Sequence, residues 1–165
     1  MQRECERTRI GGHEPTMSQP IESARETVYT RWLAPALLAG LTYAAVGVIF
    51  GFLAGAAASH GMNLLWRWGA WAVSAAVYAA HIGYERFGLR NSTGSMAFHV
   101  AVAVGLGGFG LAVAAGVHAL FMPSRNLNLR LYALALVAWP AITAVPAYVV
   151  TLVLGAVLSR LPRRA

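Results

Sequence analysis

The sequence predicts an all-α integral membrane protein: a four-helix bundle of membrane spans with both the N-terminus and the C-terminus in the cytoplasm. Three observations carry that reading. The chain is 58% hydrophobic with only 12% charged residues, about half the charge of an ordinary soluble domain. Nine of its 19 charged residues fall in the first 26 positions, so the other 139 residues hold too few to cover a water-facing globule. Those 139 residues divide into four apolar runs, each of about the 20 residues that a helix needs to cross a bilayer core.

The first 32 residues form a polar tail. The stretch 1–16 has no apolar periodicity and reads as disordered. Met17 offers a second translation start. Ser18 is a helix cap with Pro20 in the first turn, and Ile21, Ala24, Val28 and Trp32 then share one face. A short amphipathic helix lying on the membrane surface is expected there. The tail is too long and too mixed in charge for a signal peptide.

The four spans are expected near 33–58, 64–84, 96–121 and 131–158, followed by a basic tail over 159–165. The first link contains His60 and Asn63, the second Glu85, Arg86, Arg90 and Asn91, and the third runs from Pro123 to Arg130. Orientation follows from the arginines near the span ends. With the N-terminus inside, Arg25, Arg31, Arg86, Arg90, Arg160, Arg163 and Arg164 face the cytoplasm, against Arg67, Arg125 and Arg130 outside. Arg31, Trp32, Trp66, Arg67, Arg86, Arg90, Arg130 and Arg160 are expected as interfacial anchors. The chain has 13 arginines without lysine and six glutamates without aspartate. That bias reads as GC-rich coding, and a bacterial cytoplasmic membrane is the expected location. The arginines stand singly at the ends of apolar runs, a membrane pattern that gives no stripe for nucleic acid.

Small residues recur at helical spacing. Gly47, Gly51 and Gly55 form one glycine zipper, with Gly40 two turns earlier, and Gly108, Ala112 and Gly116 form another. Such stripes let helix backbones approach closely in lipid, so spans one and three are expected to make the tightest contacts, with each other or across a homo-oligomer. Pro140 and Pro146 should kink span four, with Thr143 able to satisfy a carbonyl that a proline frees.

Ionisable groups within apolar spans are candidate functional residues. They are His60, His81, Glu85, His99 and His118. His81 and Glu85 are four apart and share a helix face, and His99 is expected at a similar depth near the inner surface. Two roles suit these residues. Facing histidines, His81 with His99 and His60 with His118, could ligate b-type haem. Alternatively, His81, Glu85 and His99 could form a protonatable cluster at the inner mouth. The plainest reading of Glu85 is a charge cluster with Arg86 and Arg90 at the interface. With no aspartate and one carboxylate beyond position 26, paired-carboxylate catalysis and multi-carboxylate metal sites are excluded, and the lone Cys5 leaves no cysteine-based metal site. The leading expectation is a non-enzymatic accessory subunit, without cofactor or metal, packing against other transmembrane helices. A bis-histidine haem protein and a small transporter or proton channel are the alternatives.

Overall fold

The computed structural model describes residues 19–121 and 129–160, with side chains described from Arg31 onward. The expected disordered tail, the start at Met17, most of the third link and the basic tail past Arg160 lie outside the described residues. Within them the chain is helical, without a strand. Its elements are α1 (Gln19–Gly55), α2 (His60–Gly83), a π-helical turn (Tyr84–Gly88), α3 (Thr93–Leu120) and α4 (Leu129–Arg160).

Three of the four helices are long and apolar enough to cross a membrane: Arg31–Gly55 of α1, all of α3, and Arg130–Arg160 of α4. By the same measure of length and hydropathy α2 falls short. Trp66, Arg67, Trp68, Trp71 and His81 dilute its apolar run. The outer surface is apolar: Phe52, Trp71, Phe87 and Val137 are all more than 70% exposed. Such a surface belongs in contact with lipid.

The sequence suggests an interfacial helix distinct from the first span. Instead, α1 is one continuous helix from Gln19 to Gly55 with Pro35 inside it. The first link is also shorter than expected. Ser59 caps α2 by accepting from the Met62 amide, so His60 and Asn63 belong to the first turn of α2. Asn63 reaches back to donate to the carbonyl of Ala54 at 2.7 Å, satisfying an orphan group at the end of α1.

The helices alternate in direction. Trp32 meets His99, Tyr43 meets Gly107 and Ala44 meets Gly110, so α1 and α3 run parallel, side by side. Thr93 lies against Gly155 and Gly116 against Tyr132, so α3 and α4 run antiparallel. The α3–α4 and α1–α3 interfaces are the most extensive, and α2 packs mainly on α1. Tyr78 ties α2 to α4 through two polar contacts. The Tyr78 hydroxyl donates to the carbonyl of Ala147 at 2.8 Å and meets the hydroxyl of buried Thr151 at 2.6 Å.

The close helix crossings use only part of the small-residue stripes. On α1 the contact with α3 centres on Gly40, where an added methyl would lie 2.9 Å from the Leu106 Cβ and 3.0 Å from the carbonyl oxygen of Ala103. Gly107 receives Tyr43 and Gly110 receives Ala44. Gly47 does meet α3, at Leu111, but Gly51 and Gly55 have nothing within 4 Å. The second zipper turns away from α1. Gly108 lies against Thr143 and Trp139 of α4, and Gly116 faces Tyr132. The reason is that α3 is lined with glycine and alanine on two faces, and the face holding Gly105, Gly108 and Ala112 docks on α4.

Thr143 likewise differs from expectation. Its hydroxyl donates to the carbonyls of Trp139 and Pro140, each at 3.0 Å. The carbonyls deprived of a donor by Pro140 and Pro146 are those four residues earlier, Leu136 and Ile142. Thr143 therefore bonds back to its own preceding turn, a pattern that bends a helix slightly. α4 remains helical through both prolines.

Candidate functional site

One end of the bundle gathers α1 around Trp32, the end of α2, the start of α3 and the end of α4. Glu85 is buried there with no exposed surface. The turn that carries it explains how. At the end of α2 the helix widens, and the Leu89 amide donates to the carbonyl of Tyr84, five residues back, at 3.0 Å. Such π turns re-aim side chains and recur at functional sites. Here the turn presents Glu85 to α3. The chain then reverses at Arg90, whose φ of 54° is left-handed. That conformation is strained for a non-glycine residue. The Asn91 amide closes the turn on the carbonyl of Glu85 at 3.1 Å, and Ser92 caps α3.

Three side chains from two elements and the intervening turn surround the carboxylate. His99 Nδ1 lies 3.0 Å from Oε2 and 3.2 Å from Oε1. An ionised carboxylate only accepts, so this nitrogen carries the proton and donates. Asn91 Nδ2 donates to Oε2. His81 Nε2 stands 3.7 Å from Oε1, an ionic contact when the ring is protonated and too long for a hydrogen bond. His81 is only 6% exposed, and neither of its ring nitrogens has a hydrogen-bond partner. A buried imidazole without a partner carries an uncompensated desolvation cost.

The fourth member comes from α1. The indole of Trp32 stacks flat on the His99 ring, with centroids 4.3 Å apart and planes 3° from parallel. Phe98 meets Trp32 edge-on at 6.4 Å. The flat stack fixes the orientation of the His99 ring.

The expected cluster of Glu85 with Arg86 and Arg90 is replaced by this arrangement. Among the described residues the ionic partners of Glu85 are His81 and His99. Trp32, read from the sequence as an anchor, is half-buried in the site. Asn91, read as a link residue, is a ligand of the carboxylate. The remaining anchors Arg31, Arg67, Arg90, Arg130 and Arg160 are exposed, while Trp66 is half-buried and packs edge-on against Phe50 at 6.0 Å. His60 and His118 lie at the opposite end of the bundle and both are exposed.

His81 and His99 converge on one carboxylate, which stands between them. Bis-histidine haem ligation by this pair would require at least one ring to leave Glu85. Among the described residues no three His, Cys, Asp or Glu side chains are arranged to hold a metal ion. The arrangement is instead suited to holding or passing a proton. Tyr78 precedes His81 by three residues, on the adjoining turn of the same face, and joins Thr151 in a hydroxyl pair inside the bundle. The buried Tyr43 hydroxyl lacks a hydrogen-bond partner. Sequence reasoning missed these three hydroxyls because a lone Tyr or Thr within a span carries no spacing signal.

Burial by itself would raise the Glu85 carboxyl, but the contacts from His81, Asn91 and His99 outweigh it and hold the group below the ordinary carboxylate range. The folded protein thus binds this proton less tightly than the unfolded chain does. The stabilisation is complete above the ordinary carboxylate range and fades as pH falls through the lowered native value. The thermal stability of the wild type in detergent should therefore decline on acidification toward that value. Glu85→Gln should show a flatter profile, so that the gap between the two proteins narrows in acid. Parallel profiles would contradict the assignment.

No protein-family model, curated protein or solved structure matches the chain.

Proposed function

We propose that this chain is a four-span protein of the bacterial cytoplasmic membrane, with both termini inside, and that its His81–Glu85–His99 centre handles protons as part of a small proton channel or proton-coupled transporter. The observation that carries the reading is the withdrawal of Glu85 from solvent into contact with two imidazoles, one of them buried without a hydrogen-bond partner. Histidine is the side chain that titrates near neutral pH. Ionisable groups retained inside an apolar bundle mark proton relays. The Tyr78–Thr151 hydroxyl pair extends the polar route away from the centre.

The packing supports α2 as the fourth span. α1 and α3 lie parallel, so the segment joining the end of one to the start of the other has to return the length of the bundle. With 24 residues, α2 is about 36 Å long, enough for that return. The arginines support the orientation, since Arg31, Arg86, Arg90 and Arg160 gather at the Glu85 end and Arg67 and Arg130 at the other.

Proteoliposomes test the function. With a potassium gradient and valinomycin supplying the driving force, wild-type vesicles should acidify faster than protein-free vesicles, read by an entrapped pH dye. Glu85→Gln should return the rate to the protein-free level. A wild-type rate equal to that of empty vesicles sinks the proposal.

A second reading, the accessory subunit, is favoured by a separate observation. Gly51 and Gly55 are uncovered on α1 next to exposed Phe52, a surface on which a further transmembrane helix could pack. In that case Gly51→Leu weakens assembly in native membranes while the chain itself stays folded. The haem reading is separated from both by the absorption spectrum of purified protein, where a Soret band that shifts on reduction would establish it.

A further inference from the structure

The two imidazoles at Glu85 are held in opposite ways. His99 is fixed twice over. Its Nδ1–H is committed to the two carboxylate oxygens, at 3.0 and 3.2 Å, and the Trp32 indole lies flat on its ring at 4.3 Å. His81 has neither restraint. Both of its ring nitrogens are buried without a hydrogen-bond partner, away from the groove that Arg31 and His81 line between α1 and α2. The carboxylate is just as uneven. Oε2 receives Asn91 Nδ2 and the shorter His99 contact. Oε1 has only the longer one, and it is Oε1 that stands 3.7 Å from His81 Nε2. The less engaged oxygen therefore faces the less engaged ring.

We infer that His81 carries the proton this centre exchanges, whereas His99, with Asn91 and Trp32, only positions the carboxylate. The step is a proton transfer between His81 Nε2 and Glu85 Oε1. The N–H bond of the imidazolium breaks, its electron pair stays on nitrogen, and an O–H bond forms at Oε1. A charged pair becomes a neutral ring beside a neutral carboxyl, and the reverse step restores the pair. No oxidant or reductant takes part. The separation of 3.7 Å is too long for that transfer, so the ring has to close by about 1 Å to reach hydrogen-bond distance. His81 makes that movement without breaking a hydrogen bond. His99 cannot leave its place without giving up its donation to the carboxylate and the stack on Trp32. The surroundings of His81 fit this division. The π turn supplies Glu85 and exposed Tyr84, α3 supplies His99, and α1 supplies exposed Arg31 on the groove side. On its own helix Tyr78 lies one turn away, its hydroxyl paired with the non-titrating hydroxyl of Thr151 on α4. Among the described residues the ionic partner of His81 is Glu85. The assignment deepens the proton-handling reading above, and its flux test rests on that reading.

Amide substitutions separate the two roles. The side-chain nitrogen of asparagine falls where Nδ1 of histidine lies, and that of glutamine where Nε2 lies; each amide donates a hydrogen bond but does not exchange a proton as imidazole does. In the proteoliposome assay His81→Gln should return acidification to the protein-free level, because a fixed donor cannot replace a proton carrier. His99→Leu removes the donor that holds Glu85 and should lower the rate several-fold. His99→Asn restores a fixed donor and should recover much of that loss. Circular dichroism verifies that each variant keeps its helices. A second measurement uses the unaltered chain and does not depend on flux. In imidazole nitrogen NMR spectra of the detergent-solubilised protein, the His81 nitrogens should pass between protonated and unprotonated shifts as pH is varied, while Nδ1 of His99 keeps its proton throughout. Wild-type vesicles no faster than empty ones would remove the transport reading and leave the spectra to decide the roles. Flux retained in His81→Gln, a rate in His99→Asn no higher than in His99→Leu, or His81 nitrogens that do not respond to pH would overturn the assignment.

Discussion

Gly107→Leu is expected to prevent the bundle from folding, while Gly51→Leu leaves the isolated chain folded. Gly107 is buried where α3 meets α1, and even a methyl group there would lie 2.6 Å from the Tyr43 Cβ and 3.3 Å from the carbonyl oxygen of Gly40. Neither neighbour is the flexible end of a side chain. Relief requires the helices to separate, which also pulls Gly40 from Leu106 and Ala103 and Gly110 from Ala44. Overpacking a tight core costs about 3 kcal/mol at the upper end of its usual range, and in lipid no hydrophobic force between helices offsets the lost packing. Gly51, by contrast, has nothing within 4 Å. Unfolding in mixed micelles with increasing sodium dodecyl sulfate, followed by circular dichroism, measures both. Equal behaviour of the two variants would contradict the helix packing described above.

Glu85→Ala should be the most damaging polar substitution, lowering stability by about 3 kcal/mol, the scale of breaking a buried ionic contact by removing one partner. It leaves His99 and Asn91 without their acceptor and opens a cavity behind them. Glu85→Gln keeps the volume and one acceptor oxygen for His99, but sets an amide against the amide of Asn91, and should cost about 1 kcal/mol. The same denaturant titration, run near neutral pH, provides the comparison. If alanine is no worse than glutamine, the carboxylate does not organise this end of the bundle. The contrast also separates roles, because glutamine should abolish proton movement while largely preserving the fold.

Much of the helical architecture was legible because apolar length is a property of the local sequence. The runs around α1, α3 and α4 exceed the thickness of a bilayer core and stand out without any tertiary information. α2 was harder to read, since its tryptophans and Arg67 lower its hydropathy without shortening the helix. The shared face of His81 and Glu85 was also legible, because i, i+4 spacing is fixed by helix geometry.

The contents of the site were not legible to the same degree. Asn91 and Trp32 reach Glu85 and His99 from a loop and from a helix 53 positions before Glu85, and nothing in local spacing links them. The burial of Glu85 depends on a π turn and on a left-handed Arg90, where a glycine would have been the usual signal. The glycine stripes identify faces capable of close approach, yet they do not say which helix arrives. α3 carries two such faces, and the choice between α1 and α4 is settled by how all four helices share the interior.

The sequence by itself determined that this is an apolar helical membrane protein with its ionisable groups concentrated near the helix ends, because hydropathy and charge distribution are sums over neighbouring residues. Only the tertiary structure decided that Glu85 turns inward between His81 and His99, that Gly40 and Gly107 rather than Gly51 and Gly55 bring α1 onto α3, and that a groove opens beside His81. Those outcomes depend on close contacts between residues far apart in the chain, and such contacts follow from how rigid helices fill a shared volume.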